Sequence, residues 1–564
     1  MAEKFLNSKW TKLWFTLSVL AFVGLTAATG SVGKVAGVLS LLFFCIAGYK
    51  SKVYIRLFES RSRKHTLIML TIAICIVVIL VLLLNKVWTE RVFYSENLIP
   101  PGMRAVLPVW MLWMGQYLLP TILGIAALFF VFALVWFIAG CFKNRWHPFK
   151  SIGQALKRIV KSSDSIERWY MIIGAVVFIA FVVLICRKTE VGYQTNVPYD
   201  VVFTTDSGIL VKSDAFFNIN HPQNNDIRQP LFAITTIPFA AAAKILSRIA
   251  PLSSLPSAYI LIIQLMQVIF LLITAILLLR MSGITDKFSK IAFLVLYSFS
   301  YPVLLYSFVV EQYIASTFIL ILTIYISCYK KRQNAGLLAL ASGTLLTNSI
   351  IVPFVTARKE FSLWLRFVAK VVLYFLAMCV VCGKFRVLLR ALVSIDFLLG
   401  FSSVGSRGTV DTIGKLTQFS HFIMNTFTSP QTEVVEKAGS MVFQLTEPQK
   451  VSVCGLVLLA VALASAIINR KLLCARICGL WSVFSIALLF IVGWGAPENG
   501  MILYSLYFGW ALFTLVFLFC EKLFERHKPI RYAVYSAAFA IMAITNANGI
   551  AELVRFGMQY YPAG

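Results

Sequence analysis

The stretch Thr204–Phe232, TTDSGILVKSDAFFNINHPQNNDIRQPLF, gathers Asp206, Asp214, His221, Asp226 and Arg228 in a chain that is otherwise apolar almost throughout. It follows an apolar run ending at Cys186, and it opens another at Pro230-Leu231-Phe232. Such a stretch reads as a long loop between membrane spans rather than as part of a soluble domain. Of 564 residues, 59% are hydrophobic and only 13% charged. Soluble domains run near 45–50% apolar and about 25% charged.

The charge is one-sided, with 51 Lys+Arg against 23 Asp+Glu. In a soluble chain that excess would point to nucleic acid. Here the cations sit in short loops between apolar runs, as the positive-inside rule predicts, and no long soluble basic domain exists to carry nucleic-acid binding. The 11 Cys lie mostly inside apolar runs with no zinc-type spacing. They read as small apolar packing residues.

A span needs about 20 predominantly apolar residues. Candidates are Trp14–Thr29, Val35–Tyr49, Thr66–Leu84, Leu118–Cys141, Tyr170–Cys186, Ala258–Leu279, Ile291–Phe308, Tyr313–Tyr329, Ala335–Val355, Leu363–Val381, Val451–Ile468, Leu473–Trp494, Ile502–Cys520 and Ala533–Asn546. The expected fold is an all-α polytopic membrane protein of about 13–15 transmembrane helices, with juxtamembrane helices in its outer loops. The expected organisation is a four-span module over 1–142, a basic cytoplasmic linker over 143–168, and a larger membrane module over 169–564 with outer loops 187–228 and 402–450. Basic clusters at Arg61–His65, Lys143–Arg168, Arg280–Lys290, Arg470–Arg476 and Lys522–Arg531 orient the stack towards the cytoplasm. For the alternation to hold, Leu231–Ile249 must lie at the outer surface without crossing. Ala335–Val355 must enter and return, as two half-helices broken near Gly343, Asn348 and Pro353.

Within the opening stretch, a short helix is expected over Ile209–Phe217. Extended back to Asp206, it would place Asp206, Leu210 and Asp214 on one face. A carboxylate at an outer membrane surface can take a proton from a hydroxyl. The Arg228 guanidinium can hold a phosphate through two hydrogen bonds as it leaves. The plainer alternative is that Asp206 caps the helix and Arg228 anchors at the headgroups.

Asp206-Ser207-Gly208, followed by Arg228-Gln229-Pro230-Leu231-Phe232 at the start of an apolar element, resembles the acid and basic-Pro-Leu pattern of GT-C superfamily glycosyltransferases. YPVLLYSFVVEQYIASTFILILTIYI, with Glu311 just before a span, looks like their second outer loop. ENGMILYSLYFGW, with Glu498, Leu503 and Tyr504, looks like a late segment of theirs. The resemblance covers roughly Tyr170–Tyr561 and departs from the pattern at Gln229, where His is common.

The resemblance implies a polyprenyl-phosphate-linked sugar as donor. It implies a glycan, lipid or protein acceptor outside the cytoplasm, inversion at the anomeric carbon, and membrane lipids as the surroundings. It implies Asp206 as the base, with Asp214 as second choice. Arg228 and Gln229 would face the lipid phosphate. Glu311 would hold a sugar hydroxyl or a divalent ion. Glu498 and Tyr504 would line the substrate cavity, Arg407 would add charge for a phosphate, and His221 would be a substrate contact or, more plainly, a turn residue. The implied location is the bacterial cytoplasmic membrane, with the site on its outer side. No cofactor is demanded; two acids in separate loops are compatible with Mg²⁺ or Mn²⁺, without a compact cluster that requires either.

Two other functions stay open at this level. A transporter or flippase of a lipid-linked glycan would explain many spans with few charges, although spans without a mid-depth ionisable group and the lack of an internal repeat count against it. A surface-polysaccharide polymerase or ligase would use the loop Ser402–Lys450, with Arg407 and His421.

Overall fold

A computed structural model of the chain describes residues 153–563, apart from 155, 159–160, 194–199, 204, 222–225, 250–256, 330–333, 356–360, 385–386, 388–401, 403–408, 438 and 499–500. The first four candidate spans lie outside the described residues. The chain divides into two compact units. One comprises Met1–His147 with Arg358–Val381, and the other Pro148–Ala357 with Cys382–Gly564. The second carries the elements that follow.

In chain order these are α1 (Ser165–Cys186), α2 (Ser207–Lys212), α3 (Phe232–Leu246), α4 (Ala258–Ser282), α5 (Lys287–Ser298), α6 (Tyr301–Phe308), α7 (Gln312–Ile324) and α8 (Ala335–Thr344). After α8, a 3-10 turn over Leu346–Ile351 leads into α9 (Val352–Val355). Helix α10 (Phe361–Val381) belongs to the first unit. Then come α11 (Thr412–Asn425), a hairpin of β1 (Thr432–Lys437) and β2 (Ser440–Leu445), α12 (Val453–Ile468), α13 (Leu473–Ser485), α14 (Ser505–Leu523) and α15 (Lys528–Tyr560).

Among the described residues, seven helices are long and apolar enough to cross a membrane, or up to eight if the bent pair α5–α6 forms one span. The protein is an all-α polytopic membrane protein. At the centre of the second unit stand α7 and α14, whose spans are each 89% buried, with α4 at 67%. Helix α4 packs on α1, α3 and α7, and α14 packs on α7, α12 and α13. Helices α1 and α15 are peripheral, at 17% and 28% buried. Their bare apolar faces, Ile172, Ile173 and Val176 on α1 and Ile541 and Ile544 on α15, are what a lipid-facing surface requires.

Ion pairs staple one end of this bundle. Glu167 at the start of α1 meets Arg280 at the end of α4 at 2.5 Å, and Lys290 in α5 meets Asp164 at 2.7 Å. Asp286 takes the Tyr532 hydroxyl at 3.0 Å, and Arg531 meets Glu521 at 3.1 Å, so α5, α14 and α15 close at the same end. The opposite end, where α1 finishes and α7 begins, holds the loops.

Several elements differ from the sequence expectation, each for a local reason. Ile291–Phe308 is not one straight span: α5 and α6 bend by 55° at Phe299–Ser300, with Pro302 in the first turn of α6. The final helix runs far beyond Ala533–Asn546, to Tyr560. Asn546 and its polar successors lower the hydropathy there, but Asn546 is paired. Its amide donates to the Phe299 and Phe427 carbonyls at 2.6 and 2.8 Å and accepts from the Ser429 N–H at 2.6 Å. The opening stretch forms only the six-residue α2, because Asp214 turns the chain left-handed at φ 52°. Asp206 precedes that helix and Asp214 follows it, so the shared helical face does not form.

The hairpin was not expected. Its alternation in TEVVEK and SMVFQL is short, and its turn depends on Gly439 at φ 77°. Within Leu231–Ile249, residues Phe232–Leu246 form the 15-residue α3, and Ala335–Val355 breaks at Leu345, whose extended backbone separates α8 from the 3-10 turn.

Candidate functional site

Three backbone devices bring the loop ends together. Val201–Phe203 joins β2 as a short parallel bridge: the Phe203 N–H donates to the Phe443 carbonyl, and the Phe443 N–H donates to Val201, both at 2.8 Å. Phe203 itself takes φ 49°, unusual for an aromatic residue, wedged edge-on against Tyr301 and Phe443. Asp206 therefore leaves the hairpin at a fixed point. Second, the Arg228–Leu231 segment docks on the break after α8. The Leu231 N–H donates to Gly343 at 2.8 Å, and the Leu346 N–H donates to the Arg228 carbonyl at 2.7 Å. A Cβ on Gly343 would collide with the Leu231 side chain, so this approach needs glycine. Third, the chain unwinds between α6 and α7 and presents Glu311 and Gln312 at the start of α7.

These devices converge on the Tyr313 ring. Asp206, Arg228, Glu311 and Tyr504 all lie within electrostatic reach of its phenol. The Gln312 amide donates to the Asp206 carboxylate at 3.1 Å, tying α7 to the loop before α2. The Tyr504 ring meets Tyr313 edge-on, with centroids 5.3 Å apart, and its hydroxyl accepts from the Trp494 indole at 3.0 Å. Behind them, the Tyr507 hydroxyl donates to Asn348 at 2.6 Å.

Glu311 is fully buried. One of its oxygens accepts from the Gln312 N–H at 2.7 Å, and the other has no hydrogen-bond partner. Burial first, and then the neighbouring Asp206 carboxylate, push its pKa well above the ordinary glutamate value. Asp200 adds to the same push. Burial opposes the Arg228 charge most strongly, but Asp226, at 2.5 Å from its Nε, and the Tyr313 and Tyr504 phenols together raise the guanidinium pKa. The site thus combines a fixed cation, an acid biased towards its neutral form, and the Asp206 carboxyl group.

The other residues singled out from the sequence go elsewhere. Asp214 accepts from the Tyr259 hydroxyl at 2.6 Å and pairs with Lys244 at 2.7 Å, off the hydrogen-bonding direction, on the α3–α4 side. His221 is buried, with Nε2 at 2.9 Å from the Ile209 carbonyl, and burial lowers its pKa. It locks the loop after α2. Gln229 is buried, and its side-chain oxygen has no partner. Glu498 lies in a 3-10 turn over Ala496–Glu498. His421 contacts the Lys450 carbonyl at 3.0 Å. Arg407 lies outside the described residues.

Sequence reasoning passed over Gln312 and Tyr313, although the signal was present: a carboxamide and a phenol directly after an acid at the head of an apolar run. Among the described residues, no group of three or more His, Cys, Asp or Glu is arranged to share a metal ion. Comparison with protein-family models, curated proteins and solved structures finds no match to this chain.

Proposed function

We propose that the protein is an integral-membrane glycosyltransferase of GT-C type, moving a sugar from a polyprenyl-phosphate donor to an acceptor on the extracytoplasmic side of a bacterial cytoplasmic membrane. The observation that carries this reading is that Asp206 and Glu311, 105 residues apart in sequence, are neighbours, and that both, with Arg228, lie within electrostatic reach of the Tyr313 phenol. A base and a phosphate-binding cation are the groups that such a transfer uses, and the buried acid Glu311 stands beside the base.

The Asp206 carboxylate removes the proton of an acceptor hydroxyl. The resulting oxygen attacks the anomeric carbon from the face opposite the phosphate. The carbon–oxygen bond to phosphate breaks, and the lipid phosphate leaves with that electron pair. Arg228 neutralises the growing negative charge, and the shielded surroundings strengthen that interaction. Glu311, buried beside Asp206 and biased towards its neutral form, limits the negative charge next to the base. Charge supports this sidedness: the stapled end carries the Arg280–Lys290 and Lys522–Arg531 clusters, and the positive-inside rule favours the cytoplasm for such clusters. The site lies towards the other end.

The test is product chemistry. Protein reconstituted in lipid nanodiscs, supplied with the sugar-labelled lipid extract of the source membranes and a candidate acceptor fraction, should form a new glycosidic bond. Movement of labelled lipid across a sealed vesicle without a new bond would favour a transporter and end the transferase reading.

A further inference from the structure

Two buried amides outside the site control the backbone on which it is built. Gln264 and Gln267 lie one turn apart on α4 and are 0% and 3% exposed. Their neighbours on that helix are Ile, Leu, Met, Val and Phe, and a leucine would suit the span as well at either position. Burying a carboxamide in such surroundings needs hydrogen-bonding partners to offset its lost hydration.

Those partners are the end of α6 and the unwound residues that follow it, with Cys186 at the end of α1. The Gln264 amide donates to the Phe308 carbonyl at 2.5 Å, and its oxygen accepts from the Cys186 thiol at 3.2 Å. The Gln267 amide donates to the Val309 carbonyl at 3.2 Å and to the Tyr306 carbonyl at 3.4 Å, and its oxygen accepts from the Glu311 N–H at 3.1 Å. The Val310 N–H donates to Gly192 at 3.0 Å, and a Cβ on Gly192 would stand 2.5 Å from the Phe308 carbonyl oxygen. Every residue from Phe308 to Glu311 is thereby held from outside its own helices. If the bracket slackened, α6 and α7 would be free to wind towards each other. Each residue added to a helix turns the side chains beyond it by about 100°. Glu311 and Gln312 would rotate away from Asp206.

We propose that Gln267, braced by Gln264, is a positioning residue for the candidate site. It fixes the register at which Glu311 stands beside Asp206 and Gln312 hydrogen-bonds to it. This rests on the transferase reading for its catalytic consequence, but the geometry can be tested separately. Gln267→Met keeps the side chain's length and removes all three of its hydrogen bonds. In reconstituted protein supplied with the sugar-labelled source-membrane lipid extract, kcat should fall at least tenfold with KM for the lipid changed less than threefold. The infrared carboxyl band of Glu311, assigned by difference against Glu311→Gln, should shift in Gln267→Met. Thr274→Val, a buried change on the same helix away from the bracket, should leave both readouts alone. If Gln267→Met does not fold, Gln267→Asn, which shortens the amide by one methylene, serves for the same pair of readouts.

An unshifted Glu311 band in the folded variant overturns the proposal. So does a loss of activity matching only the loss of folded protein. If the wild-type protein transfers no sugar, the transferase reading fails on its own. The infrared arm then still decides the bracket, with a shift sustaining it and an unmoved band overturning it.

Discussion

At the scale of single residues, Glu311 is the most heavily constrained group, buried with one carboxyl oxygen unpartnered. Its raised pKa has a definite linkage sign. In the unfolded chain the carboxyl ionises near its ordinary value of 4.5, while the folded chain still holds the proton. Above that pH the folded state binds more protons, so its stability falls as pH rises. The contribution is fully present below the unfolded pKa and is lost as pH climbs through the folded one. Glu311→Gln removes this dependence. The thermal midpoint of the wild-type protein in detergent should fall more steeply between pH 5 and 8 than that of Glu311→Gln; parallel curves would contradict the assignment. Asp206, Arg228 and Glu311 were legible as residue types because charge is scarce in this chain. Their partners were not. Nothing in the sequence says that Asp214 would be taken by Lys244 and Tyr259, or that Gln312 would reach Asp206 across 106 positions.

At the scale of elements, hydropathy revealed most of the helices, because burial in lipid or in neighbouring helices needs the same apolar residues. It did not reveal breaks. A bend at Phe299–Ser300 and an unwound Val309–Glu311 change no average, and both depend on hydrogen bonds from distant side chains, Asn546 and the α4 glutamines. The hairpin escaped because its alternation is short, and its bridge to Val202 reaches far back along the chain. Close helix contacts follow the same logic. At Gly455, α12 crosses α11 so tightly that a Cβ would collide with the Ser420 carbonyl, a backbone atom that cannot turn aside. Gly455→Ala should therefore destabilise the protein by about 1–3 kcal/mol through overpacking, despite the better helix propensity of alanine. Gly153→Ala, with open space around it, supplies the contrast. Equal thermal midpoints for the two variants would refute the close crossing.

At the scale of the whole molecule, the account separates two ends. The stapled end carries the buried pairs Glu167–Arg280 and Arg531–Glu521, and the loop end carries the candidate site and the hairpin. Cysteines introduced at the exposed positions Glu447 and Glu525 report on the two ends. In intact cells a membrane-impermeant maleimide should label Glu447→Cys directly and Glu525→Cys only after permeabilisation, and the reverse pattern would invert the proposed orientation. The central claim, that Asp206 is the base of a sugar transfer, is tested most directly by one assay. Asp206→Asn keeps the side chain's size and its place beside Gln312 but cannot take a proton. In reconstituted protein supplied with sugar-labelled lipid extract and acceptor, it should lower the transfer rate by roughly 10²–10⁴-fold with lipid binding retained. Transfer at the wild-type rate by Asp206→Asn would contradict the account.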